Sequence, residues 1–365
     1  MAVVVAMKME LNGKRVMVIG LGISGLAAAR FLAAHGANLV MTDLRTDLNR
    51  SELPAGEVHL GIEDPAWLDG VDLVVASPGV PQTSVLMTAA RANHIPTIGE
   101  LELGSRFVTA PMVAITGTNG KSTVTVMLGD IFKAPGLKTF VGGNLGTPLV
   151  TAASTSYDVT VIEVSSYQLE LIESFRPRVG IHLNLTDDHL DRYRDLDDYG
   201  KAKARLFKYQ DTDDWAVLNR EDAHVWKLAN EVRSRVFSFG FERPATSPAT
   251  NSRAIWCEGN QLVFDGATGL GRISLNRFKQ PGRHNLLNAM AAAAGALAMG
   301  IAPEVIERAL TEFTNLPHRT EFVIEKNGVK YIDDSKMLSP ACSSFDQFKD
   351  YAERGRVFQE LVRAL

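Results

Sequence analysis

The sequence predicts an α/β fold built on parallel sheets, and three observations carry that expectation. Strand-like apolar runs alternate with helical patterns over most of the chain. Two glycine-rich loops, one at Gly20–Gly25 and one at Gly117–Thr123, each follow a strand and open a helix. The composition is that of an ordinary globular protein: 365 residues, 45% hydrophobic and 22% charged. That length suggests two or three domains, and that composition excludes a disordered, collagen-like or disulfide-stapled chain.

Charge and cysteines narrow the class further. The 38 Lys and Arg against 42 Asp and Glu give a net charge of −4, so a dedicated nucleic-acid binder is not expected. Two cysteines, Cys257 and Cys342, fit a reducing cytoplasm. The apolar start, Met1–Met7, is too short for a signal peptide. No run reaches the roughly 18 apolar residues of a membrane span. A cytoplasmic monomer without membrane or nucleic-acid partners is expected.

The elements follow in order. Arg15–Gly20 reads as a buried strand, Ser24–His35 as a helix, Asn38–Thr42 as a second strand and Val71–Ala76 as a further one. A second series opens at Met112–Thr116 and continues through Val159–Val164, Val179–Leu185, Ala216–Asn219 and Val236–Phe239. Pro135 should end the helix after the second loop near Lys133. Residues 243–253 form a turn-rich loop, Ile255–Leu275 an antiparallel meander, and His284–Met299 a long Ala-rich helix. Boundaries near Gly99 and Leu316 give domains at 1–99, 100–315 and 316–365.

The second loop, Gly117-Thr118-Asn119-Gly120-Lys121-Ser122-Thr123, is one residue shorter than the standard phosphate loop but shares its physics. Glycines let backbone N–H groups approach phosphate oxygens, and the helix start favours the anion. Lys121 adds a point charge for the β- and γ-phosphates, and a Ser122 or Thr123 hydroxyl can ligate Mg²⁺. ATP is therefore the expected ligand, against the plainer reading of a Gly-rich turn with an exposed lysine.

Gly20-Leu-Gly22-Ile-Ser-Gly25, with Asp43 eighteen residues beyond Gly25, is a dinucleotide fingerprint. It fits an NAD-dependent oxidoreductase, any other nucleotide diphosphate, or a tight packing turn. A hydride-transfer enzyme has no need of the second loop.

Three further groups stand out. Glu163 lies at the C-terminal end of a strand, where open α/β sheets place ligands, and could hold a metal beside the phosphates. Thr186–Tyr193 packs three carboxylates, His189 and Arg192 into eight residues, which suits a second metal or a plain helix cap. Asn285 and Asn288 are three apart, hence on one helix face, where they could grip a nucleotide or cap the helix.

These segments together resemble the Mur ligase family, and within it the branch that adds D-glutamate. GLGISG, ASPG, ITGTNGKST, VGGNLG, EVSSYQLE, NLTDDHLDRY, GRHNLLNAMAA, LPHRTE, DDSK and LSPACSSFDQF occur in family order, almost from end to end. The resemblance implies an N-terminal Rossmann-like domain that binds a UDP-sugar, a central P-loop ATPase-like domain and a C-terminal Rossmann-like domain. It implies a cytoplasmic peptidoglycan enzyme that joins D-glutamate to UDP-N-acetylmuramoyl-L-alanine through an acyl phosphate, with ATP and two Mg²⁺ ions and without NAD. By matching position, Ile23, Ser24, Asp43, Arg45 and Gly79 would line the uridine site, with Asn144 and His189 nearer the acyl end. Gly117–Thr123, Asn285, Asn288, Arg319 and Asp334 would take ATP. Ser122 and Glu163 would sit by one Mg²⁺, with His189 by the other. Lys121, Glu163, His189 and Lys203 would form the catalytic set. Lys203, in the pattern Tyr-x-x-Ala-Lys, would carry the family's carbamate, since an ammonium of pKa about 10.4 would repel Mg²⁺.

The chain departs from the family near its end. The family's third domain opens at DSK and has LSPACSSFDQF close to its end, yet here Lys336 is followed at once by Met337. A doubly wound domain usually needs roughly 100–150 residues, and 316–365 supplies 50. The domain is therefore expected to be truncated, with an internal gap at 336/337 that is either a deletion or a stretch missing from the sequence as given. Lys336, Ser344 and Tyr351 remain as amino-acid contacts. The expected consequence is intact UDP-substrate binding with poor turnover; the alternative is a nucleotide-binding remnant without catalysis.

Overall fold

The computed structural model describes residues 9–187, 192–245, 252–266, 269–314, 321–333, 335 and 351–364. The first 99 residues carry β1 (Arg15–Ile19), α1 (Ile23–Ala34), β2 (Asn38–Asp43), β3 (Glu57–Leu60), β4 (Leu73–Ala76), α2 (Val85–Ala92) and β5 (Thr97–Gly99). The strands form one parallel sheet in the order β3-β2-β1-β4-β5. Because β2 and β4 lie on opposite sides of β1, the loops after β1 and β4 meet in a crevice, the usual ligand position of such sheets. Both faces are covered. Ala28, Ala29 and Leu32 of α1 pack on Val16 and Val18, while Leu86, Met87 and Ala90 of α2 pack on Met17 and Val74. Alternate residues of β1 thus serve opposite cores, as the period of a strand requires.

A short helix, α3 (Glu100–Ser105), joins this sheet to the next. Its two buried carboxylates are tied to the second sheet's side of the molecule. Glu100 Oε1 accepts the Val150 N–H at 2.7 Å, and Glu102 accepts the N–H groups of Glu173, Ser174 and Phe175 together with the Arg106 guanidinium. Val150 itself belongs to the core of the first sheet. The segment at the expected boundary is therefore a packed wedge, not a loose linker.

Then come β6 (Met112–Thr116), α4 (Lys121–Lys133), β7 (Thr139–Gly143), β8 (Val159–Glu163), α5 (Ser166–Leu169), β9 (Val179–His182), α6 (Leu196–Ala204), β10 (Trp215–Asn219), α7 (Ala223–Lys227) and β11 (Arg235–Phe239). β12 (Arg253–Glu258), β13 (Gln261–Gly266) and β14 (Gly269–Ser274) follow, then α8 (Arg283–Ala298) and α9 (Pro303–Glu312). Nine strands form one sheet in the order β14-β13-β12-β11-β10-β9-β6-β8-β7. It is parallel from β7 to β12, and the expected meander extends its edge as two antiparallel pairs. α4, α8 and α9 cover one face, and the Ala-rich pattern lets α8 bury ten residues against it. α6 and α7 cover the other face. α4 ends at Lys133, two residues before Pro135, as the ring's clash with the preceding turn dictates. Strands β3, β5 and β7 are additions to the sequence reading, each short or rich in glycine.

The last part holds β15 (Glu321–Lys326), β16 (Val329–Asp333) and α10 (Tyr351–Ala364). Asn327 and Gly328 turn the antiparallel pair with φ of 54° and 77°, the left-handed values a two-residue hairpin demands. Gln359 of α10 donates to Glu321 at 3.1 Å and to Asp333 at 2.8 Å, which fastens the helix to the hairpin. Among the described residues of this part there is no parallel sheet.

Candidate active site

The first glycine loop is closed by contacts from the loop after β4 and from its own helix. Ser77 Oγ donates to the Gly20 carbonyl at 2.6 Å, and a Cβ on Gly25 would stand 1.8 Å from that same oxygen, so position 25 admits only glycine. Gly22 caps α1 without a side-chain hydrogen bond. The first-turn N–H groups of α1 are therefore not taken by a capping side chain. Asp43 accepts the Leu21 N–H at 2.6 Å and the Arg45 N–H and guanidinium at 2.9–3.0 Å. Burial works to raise the Asp43 pKa, but these hydrogen bonds from Arg45 and Leu21 outweigh it and hold the carboxyl at about 2.

The phosphate loop runs from β6 into α4. Gly120 caps α4 at φ +85°, where a Cβ would also lie 2.5 Å from Asn288 Oδ1. Asn184, just beyond β9, clasps the loop from below: its Oδ1 accepts the Asn119 N–H at 2.8 Å, its Nδ2 donates to Asn119 O at 3.0 Å, and its carbonyl accepts the Thr118 N–H. Lys121 Nζ donates to the carbonyls of Gly117 and Thr118 at 2.9 and 2.7 Å. Lys203, 1% exposed on α6, donates to the same Gly117 carbonyl at 2.9 Å and lies over the Tyr199 ring. Two ammonium groups thus converge on one carbonyl. Beneath them His182 is buried with neither ring nitrogen hydrogen-bonded; burial, then the charges of Lys203 and Lys121, push its pKa down to about 3, and the ring is neutral.

Glu163 ends β8, 4% exposed. Asn144 donates to its Oε1 at 2.8 Å, whereas Oε2 is buried without a hydrogen-bond partner. A buried, half-satisfied carboxylate beside a hydroxyl-bearing phosphate loop is a donor set that suits a hard divalent cation. Ser122 and Thr123 lie in the first turn of α4, both buried. Asn285 and Asn288 share one face of α8, as their spacing requires; Asn285 Nδ2 donates to Pro281 O, and Asn288 borders Gly120.

One cavity of about 640 Å³ joins the two loops. Ile23, Ser24, Asp43 and Gly79 line its first-domain wall, and Lys121, Asn144, Tyr199 and Lys203 line the opposite wall. Arg45 is not among the lining residues and is half exposed, its guanidinium paired with Asp43. His189, Arg319, Asp334, Lys336 and Ser344 lie outside the described residues, and of Tyr351 only the backbone at the start of α10 is described. Sequence reasoning missed Asn184, His182 and the wall formed by Ser165, Ser166 and Tyr167. Asn184 lies two residues before the charged run Thr186–Tyr193, and an uncharged amide carries no such signal. Among the described residues no cluster of three or more His, Cys, Asp or Glu could hold a metal. No helix among the described residues is long and apolar enough to cross a membrane.

The profile of the Mur ligase MurD-like N-terminal domain matches residues 14–99, and that of the Mur ligase middle domain matches residues 115–296. A UDP-N-acetylmuramoylalanine–D-glutamate ligase from Geobacter metallireducens is 43% identical over 336 residues, covering 90% of this chain and 73% of the relative. Its namesake from Geotalea daltonii is 36% identical over 457 aligned positions, covering 98% and 99% respectively. Those 457 positions exceed the 365 residues of this chain by 92, so at least 92 of them are occupied in the relative alone. Among solved structures, a UDP-N-acetylmuramate:L-alanyl-γ-D-glutamyl-meso-diaminopimelate ligase from Neisseria meningitides superposes with a TM-score of 0.56 at 21% identity, over 84% of this chain and 99% of that one. A murein peptide ligase from Psychrobacter arcticus gives 0.55 at 19%, over 88% and 73%. At such identity these two speak for the fold alone.

Proposed function

The chain belongs to the Mur ligase family, and from that premise we propose that it is the ATP-dependent ligase that adds D-glutamate to UDP-N-acetylmuramoyl-L-alanine in cytoplasmic peptidoglycan precursor synthesis. The observation that carries the reading is the shared cavity. A diphosphate-type loop and a phosphate loop open on one space of about 640 Å³, with Lys121 and Lys203 on the wall opposite Asp43 and Gly79. An oxidoreductase would leave the second loop without a task, so the first loop is assigned to UDP and not to NAD.

The roles follow from charge and position. The first turn of α1 faces the diphosphate, and Asp43, held ionised, accepts from the nucleoside end. The backbone of Gly117–Thr123 cradles the phosphates of ATP, and Asn285 and Asn288 support the loop from α8. An amine cannot displace hydroxide from a carboxylate at neutral pH, so the substrate carboxylate first attacks the γ-phosphorus of ATP. ADP leaves and an acyl phosphate forms. Lys121 faces the charge of that transfer. The D-glutamate nitrogen then attacks the acyl carbon, the C–O bond to phosphate breaks, and the nitrogen loses a proton. Mg²⁺, when bound, would be held by Ser122 and Glu163 and would neutralise phosphoryl oxygens; Lys203 as a carbamate, with His189, would hold a second ion. Residues 1–99, 100–315 and 316–365 are taken as UDP-binding, ATP-binding and amino-acid-binding parts, with the third shortened at 336/337 and the protein acting as a monomer.

Replacing Lys121 with Ala tests the assignment. ADP release that requires the UDP-substrate is expected to fall at least 100-fold with the fold intact, since the charge it supplies is realised mainly during transfer. An unchanged rate would return the first loop to the oxidoreductase reading.

A further inference from the structure

Arg192 sits where the two sheets meet, and its guanidinium is shared between them. On the central side it forms a two-pronged pair with Glu170, Nε to Oε1 at 3.1 Å and Nη2 to Oε2 at 2.6 Å, and it lies 4.3 Å over the Tyr167 ring. On the first-domain side Nη1 donates to the Pro78 carbonyl at 3.1 Å and Nη2 to the Val80 carbonyl at 3.3 Å. Those two carbonyls flank Gly79, a wall of the cavity, and the loop continues back through Ser77 to the Gly20 carbonyl. The anchor is itself fixed. Tyr193 donates to Glu170 at 2.7 Å, and Arg205 donates to the backbone carbonyls of Leu169 and Glu170.

We propose that Arg192 is a positioning residue that latches the Ser77–Val80 loop to the phosphate-loop domain, so that a UDP-substrate held by the first sheet presents its acyl end at Lys121. The chemistry of the side chain supports this. Only a planar guanidinium offers enough fixed donors to serve one carboxylate and two carbonyls at once; an ammonium can hold Glu170 but not the whole set. Arg192 and Glu170 are 17% and 15% exposed, so breaking the pair leaves a mostly buried charge and two carbonyls unsatisfied. Arg192 itself is not among the residues that line the cavity. Its effect should therefore appear where a ligand spans both sheets, and not where a ligand binds one of them.

This inference rests on the proposed substrate, so the test includes one readout that does not. The full chain is compared with R192K and R192A by amide hydrogen exchange in 77–84 and by calorimetric binding of UDP, UDP-N-acetylmuramoyl-L-alanine and ATP. Exchange of the Val80 amide, which donates to Ser77 O at 3.0 Å, should rise about tenfold in R192A and less in R192K. The tightening that the muramoyl-alanine end adds over UDP alone should drop about tenfold in R192A, while ATP binding stays within twofold. Wild-type exchange and wild-type tightening in both variants would overturn the latch. So would an equal loss of ATP binding in R192K, which would show a general loss of fold. Should R192A not fold, R192K alone decides by the same exchange readout. If the wild-type chain binds UDP and the full substrate equally, the proposed substrate fails while the exchange result still judges the latch.

Discussion

At the scale of residues, the site is a set of charges whose states are fixed by neighbours. Asp43 is the clearest. Its folded pKa of about 2 lies below the ordinary 3.8, so its contribution to stability is present above about pH 4 and is lost as pH falls through 3.8 toward 2. Replacing it with Asn should remove that contribution and weaken binding of the UDP-substrate. In thermal melts the advantage of the wild-type chain over D43N is expected to shrink between about pH 4 and about pH 2; a constant difference would speak against the hydrogen-bonded carboxylate. Much of this layer is legible in the sequence, because Gly20–Gly25, Asp43 and Gly117–Thr123 lie on strand–loop–helix junctions whose spacing is dictated by phosphate geometry. Asn184, His182 and the Arg192–Glu170 pair are not legible in the same way. They act across 22 or more positions of chain, and only the folded sheet brings them to the loops.

At the scale of elements, two features are exposed to direct test. α1 crosses the Gly20 loop so closely that a Cβ at position 25 would collide with backbone. Gly25→Ala should therefore cost about 3 kcal/mol, at the upper end for overpacking, and abolish UDP binding, read by chemical denaturation and calorimetry. The second feature is α3. Glu100 is buried, and burial raises its pKa to about 7 against the hydrogen bonds from the N–H groups of Val150 and Leu149. A folded pKa above the ordinary 4.5 means that stability is complete below 4.5 and declines as pH rises toward 7. E100Q, which stays neutral, should flatten that part of the profile, so the melting temperature of the wild-type chain should fall relative to E100Q from about pH 5 to about pH 8. The existence and type of the main strands were readable from apolar runs, and the end of α4 from Pro135. β3, β5 and β7 were not, because Glu57, Gly99 and the glycine pair Gly142-Gly143 blur the strand pattern.

At the scale of the molecule, the described residues form two large sheets and a much smaller third part. The first sheet has five strands and the second nine, each with both faces covered, whereas β15, β16 and α10 form a hairpin with one helix. A two-stranded sheet is marginal by itself, and the alignment with the Geotalea daltonii relative holds at least 92 positions that this chain does not fill. The proposed assignment divides along the same line, with the UDP-substrate and ATP given to the first two parts and D-glutamate to the third. The most direct measurement is ADP release with UDP-N-acetylmuramoyl-L-alanine and ATP as D-glutamate is varied, beside a full-length relative. The account predicts release that depends on both the UDP-substrate and D-glutamate, with kcat/KM for D-glutamate at least tenfold below the relative. Turnover equal to the relative at every D-glutamate concentration, or release that ignores the UDP-substrate, would contradict it.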